Sequence, residues 1–260
     1  MAETAKQKVL TERDGAITTV IINRPECRNA VDYETGELLL EAFDAFEKDD
    51  TQSIAILRST GPVFCAGFDL KSLAGKSLNY DPMADGLMGP TRRLLNKPVI
   101  AAVEGYAVAG GLELALWCDM RVAAKSASFG VFCRRWGVPL IDGGTIRLPR
   151  LIGQSRALDM ILTGREVGAE EALSFGLANR LVDDGAAYNE AIKLAEGIAQ
   201  FPQICMRTDR MTAHKQWGLD LDVALRLEAV EGEAPLIAEA QNGAARFSSG
   251  LGRSGDFGKI

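Results

Sequence analysis

The chain has 260 residues, 47% of them hydrophobic and 25% charged, enough apolar material for a substantial core. Its net charge of -6 argues against a polyanion-binding surface, so nucleic-acid binding is not supported, while a local basic pocket for one phosphorylated ligand stays open. With one histidine, His214, a His-rich metal site is excluded and any Ser–His or Cys–His dyad would have to use that residue.

From the start of the chain, Met1 to Leu10 has no apolar signal core and is not clearly Arg- and Ser-rich. Cys27, Cys65, Cys118, Cys133 and Cys205 are odd in number and form no C-x-x-C pair, which reads as reduced thiols in a cytoplasmic compartment. Ile17 to Ile22 is a β-branched strand run ending in the turn Asn23-Arg24-Pro25. Leu38, Leu39, Ala42, Phe43 and Phe46 recur at helical spacing between Tyr33 and Asp49. Ser53 to Leu57 reads as a buried strand, followed by the Gly61-Pro62 break. Pro98 to Val103 is a third strand, too short to span a membrane, and Met120 to Ala123 a fourth. Continuous rather than alternating apolar runs predict strands covered on both faces, as in α/β layers.

After Gly144 the pattern turns helical, at Ala157 to Leu162, Glu170 to Leu173, Ala187 to Ala199 and Leu219 to Ala240, with few strand signals. No low-complexity linker divides the chain. The reading is an α/β core over residues 1–195 followed by a helical C-terminal region over 196–260, whose apolar faces would dock on a neighbour. His214 lies in a polar helix-like stretch, Asp209 to Trp217, as a solvated surface residue would.

Several nucleotide and hydrolase patterns fail. Gly250-Leu251-Gly252-Arg253-Ser254-Gly255 matches G-x-G-x-x-G literally, but a helix pattern precedes it and no βαβ unit follows. There is no P-loop and no G-x-S-x-G elbow.

Two glycine-bearing segments remain. Phe64-Cys65-Ala66-Gly67-Phe68-Asp69-Leu70 follows a predicted strand, and Gly105 to Glu113, with Gly110-Gly111, follows another and opens a helix. Glycine there permits positive φ and close backbone approach, and a helix starting at Gly110 would aim free N–H groups at negative charge. Each alone also reads as an ordinary tight turn. Together with Ile22-Asn23-Arg24-Pro25, Arg28-Asn29-Ala30, Gly143-Gly144-Thr145 and Arg147-Leu148, they make the chain resemble the enoyl-CoA hydratase/isomerase (crotonase) family over nearly its whole length.

That resemblance implies a crotonase-like α/β fold with a ββα spiral core and a helical C-terminal trimerisation region, assembled as a homotrimer or a dimer of trimers. It implies an acyl-CoA substrate, with no metal or redox cofactor. The backbone N–H groups of Phe68 and Gly110 would bind the thioester oxygen, where water addition or deprotonation builds charge. Ala30, Ala66, Asp69 and Leu70 would line coenzyme A, and Arg28 would meet its phosphates, unless Arg28 is a solvated turn residue.

Hydrating relatives use two glutamates. Glu113 matches the first, though a first-turn glutamate also gains from the helix dipole. The second position holds Cys133, which puts ordinary hydration by a glutamate pair in doubt. Asp142 stands where dienoyl-CoA isomerases of the family carry an aspartate, and is expected to pair with Glu113 or to cap a helix at Gly143. Cys133 as a nucleophile would need its thiol pKa lowered, for instance by Arg134 and Arg135. The leading expectation is a lyase adding water to an enoyl-CoA. An enoyl- or dienoyl-CoA isomerase and a non-catalytic acyl-CoA-binding protein are the alternatives.

Overall fold

The computed structural model describes residues 7–74 and 80–252. The chain opens with a hairpin of β1 (Val9–Asp14) and β2 (Ile17–Ile22), antiparallel in register Val9 to Ile22. Helix α1 (Tyr33–Lys48) follows, its first turn capped by the Asp32 side chain accepting from Thr35 N at 2.9 Å. Then β3 (Ile54–Ser59), β4 (Val99–Val103), β6 (Met120–Ala124) and β9 (Arg180–Val182) extend the sheet in the order β1-β2-β3-β4-β6-β9. Beyond the opening hairpin every pairing in this sheet is parallel. A second sheet joins β5 (Tyr106–Val108), β7 (Ser128–Gly130) and β8 (Val167–Gly168) in that order.

Parallel strands buried on both faces explain the continuous apolar runs. Alternate residues of one strand face opposite sides, so Ala55 and Leu57 enter the larger core with Leu39, Phe43 and Phe46 of α1. Ile54 and Ile56 join Ile17, Ile100 and Val122 on the other face, under Ala187, Ala191 and Ala195 of α6 (Ala187–Gln200). The expected division at residue 195 falls inside α6, a helix packed against the main sheet.

Helices α3 (Gly144–Ile152), α4 (Gln154–Thr163), α5 (Ala169–Phe175), α7 (Gln203–Lys215) and α8 (Leu221–Glu231) complete the chain before the helical turns of 233–248. Two strand elements, β8 and β9, stand in the half read as mainly helical. At two and three residues they are too short to leave a period in the sequence. The expected helix Leu219 to Ala240 is interrupted after Glu231, and Leu236–Ala240 forms a π-helical turn. The Gly250 to Gly255 motif reaches past residue 252 and so lies partly outside the described residues. Among them, no helix is long and apolar enough to cross a membrane.

Candidate active site

The site forms where two chain segments leave the main sheet and meet. Past β3, Phe64 N donates to Glu104 O at 2.8 Å and Cys65 N to Tyr106 O at 2.9 Å, while Val108 N returns a bond to Cys65 O at 3.0 Å. The next residues switch partner: Ala66 N donates to Arg28 O at 3.1 Å, Val31 N to Gly67 O at 2.9 Å and Asp69 N to Val31 O at 2.8 Å. The strip from Phe64 to Asp69 is thus stitched first to β5, then to the Arg28–Val31 segment. One amide is skipped in this ladder: Phe68 N–H donates to no acceptor among the described residues.

Gly110 is the first residue of α2 (Gly110–Trp117), where helix geometry leaves the amide without an intrahelical partner. Its N–H also has no acceptor among the described residues, since Ala109 N takes Gly130 O and Glu113 N takes Ala109 O. The two segments touch. A Cβ on Gly67, at φ +99°, would lie 2.9 Å from Ala109 Cβ and 3.0 Å from Gly110 N, so no residue with a side chain fits between them. Ala109 itself sits at φ +53° and ψ -124°, a conformation that costs a non-glycine residue about 1–3 kcal/mol. Strain held here by the packing fixes the direction in which α2 starts.

Inside α2, all eight residues are buried, including Glu113. Glu113 Oε1 accepts from Asp142 N and Gly144 N, both at 2.8 Å. A Cβ on Gly144 would stand 3.0 Å from Glu113 Cγ and Oε1, so the turn before α3 is fitted closely around this carboxyl group. Burial pushes the Glu113 pKa up to about 7, and the nearby Asp142 charge adds to the rise against the pull of the two amides.

Asp142 is buried as well, but it does not cap α3. That helix starts at Gly144 with Gly143 in the cap position and no side-chain cap bond. Asp142 Oδ1 instead accepts from Met88 N at 3.1 Å and Thr91 Oγ1 at 2.5 Å, tying in the 86–91 loop. Arg147 donates to Asp142 O at 3.1 Å and to Thr91 O at 2.6 Å, holding the same pair from behind. The glycine-rich turn was visible as a motif. Thr91 and Met88 were not, although Met88 also packs on the start of α2, its Sδ 2.6 Å from where a Cβ of Gly110 would be. Only the Gly86 and Gly89-Pro90 punctuation marked this loop, and nothing in the sequence pointed its residues at Asp142.

Cys133 sits in the short 3-10 turn Phe132–Trp136 and is buried. Burial raises its thiol pKa, and the charge of Glu113 raises it further, so the lowering that a nucleophilic role would need, here from Arg134, does not dominate. Arg134 is turned to Ile161 O at 3.0 Å and Arg135 lies over the Phe132 ring. A neutral, buried thiol is a poor nucleophile.

The residues expected along coenzyme A share one strip. Arg28 is exposed at φ +57°, Ala30 is buried, and Ala66, Asp69 and Leu70 follow on the neighbouring segment. The Asp69 carboxylate is engaged by Arg24 at 3.2 Å and by Lys71 N at 3.2 Å, so it braces the strip. The Phe68 ring meets Tyr33 edge-on at 5.2 Å. His214 is remote from these groups: Nε2 lies 3.1 Å from Asp119 Oδ1, where α7 joins the core, so it is partnered rather than simply solvated.

Comparison with known proteins shows the family. Residues 12–247 match the family model described as enoyl-CoA hydratase/isomerase. The chain is 41% identical over 197 residues to the enoyl-CoA hydratase EchA19 of Mycobacterium tuberculosis, covering 73% of this chain and 74% of that protein. It is 40% identical over 193 residues to the carnitinyl-CoA dehydratase of Proteus mirabilis, covering 73% of each. In three dimensions it superposes on the crystal structure of enoyl-CoA hydratase EchA1 from Mycobacterium marinum with a TM-score of 0.88, at 35% identity, over 94% of this chain and 96% of that one. The chain belongs to the enoyl-CoA hydratase/isomerase family, with its crotonase fold.

Proposed function

We propose that this protein is an enoyl-CoA hydratase, adding water reversibly to an α,β-unsaturated acyl-CoA through a stabilised thioester enolate. The observation that carries the reading is the pair of unengaged amides, Phe68 N–H and Gly110 N–H, on touching segments one helical turn from buried Glu113. Fixed donors in a dry site stabilise a developing oxyanion, and losing one such donor typically costs about 3 kcal/mol. Glu113, with a pKa near 7, is poised to take the proton of the attacking water. Asp142 is the second carboxyl available for the proton that reaches the α-carbon, and Cys133 lines the site as a neutral thiol. Arg28, Ala30, Ala66, Asp69 and Leu70 form the strip for the coenzyme A handle, whose remote binding energy positions the acyl group. The substrate thioester then supplies the reacting carbonyl and no metal or redox cofactor takes part. A homotrimer or dimer of trimers fits the exposed apolar side chains of the C-terminal helices, and the free cysteines fit the cytoplasm.

A second reading is favoured by one observation. With Cys133 where a second glutamate would be and Asp142 in the position of the dienoyl-CoA isomerases' aspartate, Glu113 and Asp142 would move a proton between carbons of the acyl chain, which is double-bond isomerisation. The test is optical. Crotonyl-CoA should lose its conjugated absorbance on incubation with the protein. No loss, with a β,γ-enoyl-CoA gaining conjugation, would make it an isomerase. Tight coenzyme A binding without turnover of either would make it a non-catalytic acyl-CoA-binding member.

A further inference from the structure

Behind Thr91, Gly143 and Arg147 lies a cleft of about 470 Å³ that the reaction outlined above does not use. Its volume is that of a small-molecule site. Five arginines line it, Arg92, Arg93, Arg147, Arg150 and Arg210, in a chain whose net charge is -6. Their partners differ in kind. Arg210 pairs with Asp119 at 2.7 Å, and Arg93 with Asp44 and Asp85. Arg92 and Arg147 donate to main-chain carbonyls and, for Arg92, the Tyr80 hydroxyl, with no carboxylate salt bridge among the described residues. Arg150 is exposed and lies over the Trp217 ring at 5.1 Å, again with no carboxylate partner among those residues.

Three guanidinium groups with no carboxylate salt bridge among the described residues therefore share a concave wall with Asp119 as its lining carboxylate. Only at a distance does Asp85 act on Arg92, and Glu113 and Asp142 on Arg147. The rest of the wall is apolar and aromatic. Leu94, Ile146 and Trp217 are each about half exposed, at 47%, 53% and 49%. Arginine recognises carboxylates and sulfonates through paired N–H donors, and flat rings stack on indole and guanidinium faces. We propose that this cleft is a binding site for a small aromatic anion, its ring against Trp217 and Ile146 and its charge met by Arg150 and Arg147. This site is separate from the strip assigned to coenzyme A; it shares Arg147 with the support of Asp142, which is why its test uses Arg150.

Isothermal titration with 2-naphthoate tests it, on the wild-type chain, on Arg150→Glu and with neutral 2-naphthamide as the control. One naphthoate per chain should bind, the amide should bind at least about tenfold more weakly, and Arg150→Glu should weaken naphthoate by a similar factor. Arg150→Glu should leave the far-ultraviolet circular dichroism and the thermal midpoint unchanged, since Arg150 is exposed. An unaltered naphthoate affinity in a folded Arg150→Glu overturns the proposal. So does equal binding of the amide, displacement of naphthoate by coenzyme A, or no binding at all because another copy of the chain covers the cleft. If Arg150→Glu fails to fold, Ile146→Asp takes its place with the same expectation.

Discussion

Helix α2 and helix α8 carry similar shares of apolar residues and meet opposite fates. Every residue of α2 is buried, whereas α8 has no buried residue and exposes Leu221 at 75% and Val230 at 71%. In α2 the packing is complete around a carboxyl group, and that burial is what moves Glu113 toward neutral pH. In α8 the same kinds of side chain touch α7 on one side, half-burying Ala224 and Leu227, and leave the rest of the helix exposed. Burial creates chemistry in the first case, and its absence creates an unmet need for a partner in the second.

The sharpest way to break the α2 half of this contrast is Glu113→Gln. Glutamine keeps an oxygen for the Asp142 and Gly144 amides, so the fold should survive. Turnover of crotonyl-CoA should fall by about 10²–10⁴, the usual range for removing a general base. Retained turnover would remove Glu113 from the reaction. Gly67→Ala acts on the neighbouring amides instead. The new methyl would press on Ala109 and on Gly110 N, displacing one donor, and kcat/KM should drop by about 10²–10³ with the secondary structure intact.

The pH dependence of stability tests the burial itself. Glu113 is raised from an ordinary glutamate value to about 7, so between those values the folded chain holds a proton that the unfolded chain has released. Its contribution is therefore present in full below the unfolded pKa and is lost as pH rises through about 7. A rise of this size corresponds to about 3 kcal/mol at most. Urea midpoints of the wild type should fall between roughly pH 4.5 and 7 relative to Glu113→Gln, which lacks the group. Activity should move the other way, since a base must be deprotonated, giving an acidic limb in kcat/KM with a midpoint near 7. Parallel stability curves for the two proteins would show that Glu113 is not held in a desolvated state.

The α2 region was legible in the sequence because its constraints are local. Gly67, Gly110 and Gly144 each allow a close approach that a Cβ would block, and such glycines stand in recognisable spacing. Helix α1 was legible from its helical spacing and strand β3 from its unbroken apolar run. The support of Asp142 was not, because Met88 and Thr91 reach it from 54 and 51 residues away and their residue types carry no signal. Strand β9 was missed for a related reason: three residues gain strand geometry only by pairing with β6. The Cys133 environment was not legible, because burial and the distant Glu113 raise its thiol pKa against the lowering by neighbouring Arg134.

The smallest effect on chemistry, and the one aimed at the other half of the contrast, comes from the tail. Leu221 and Ile237 are exposed at 75% and 74%, so replacing both with lysine removes no packing within one chain. Such surface changes usually move monomer stability by no more than about 0.5 kcal/mol. If these side chains are covered by a second copy, burying two lysines there is costly, and sedimentation should show a lower mass at the same protein concentration. Turnover per chain should change little, because neither residue lies near Glu113 or the Phe68 and Gly110 amides. An unchanged mass would mean that α8 and the turns after it face solvent as they stand. The apolar surface would then need a different explanation from the one that the comparison with α2 suggests.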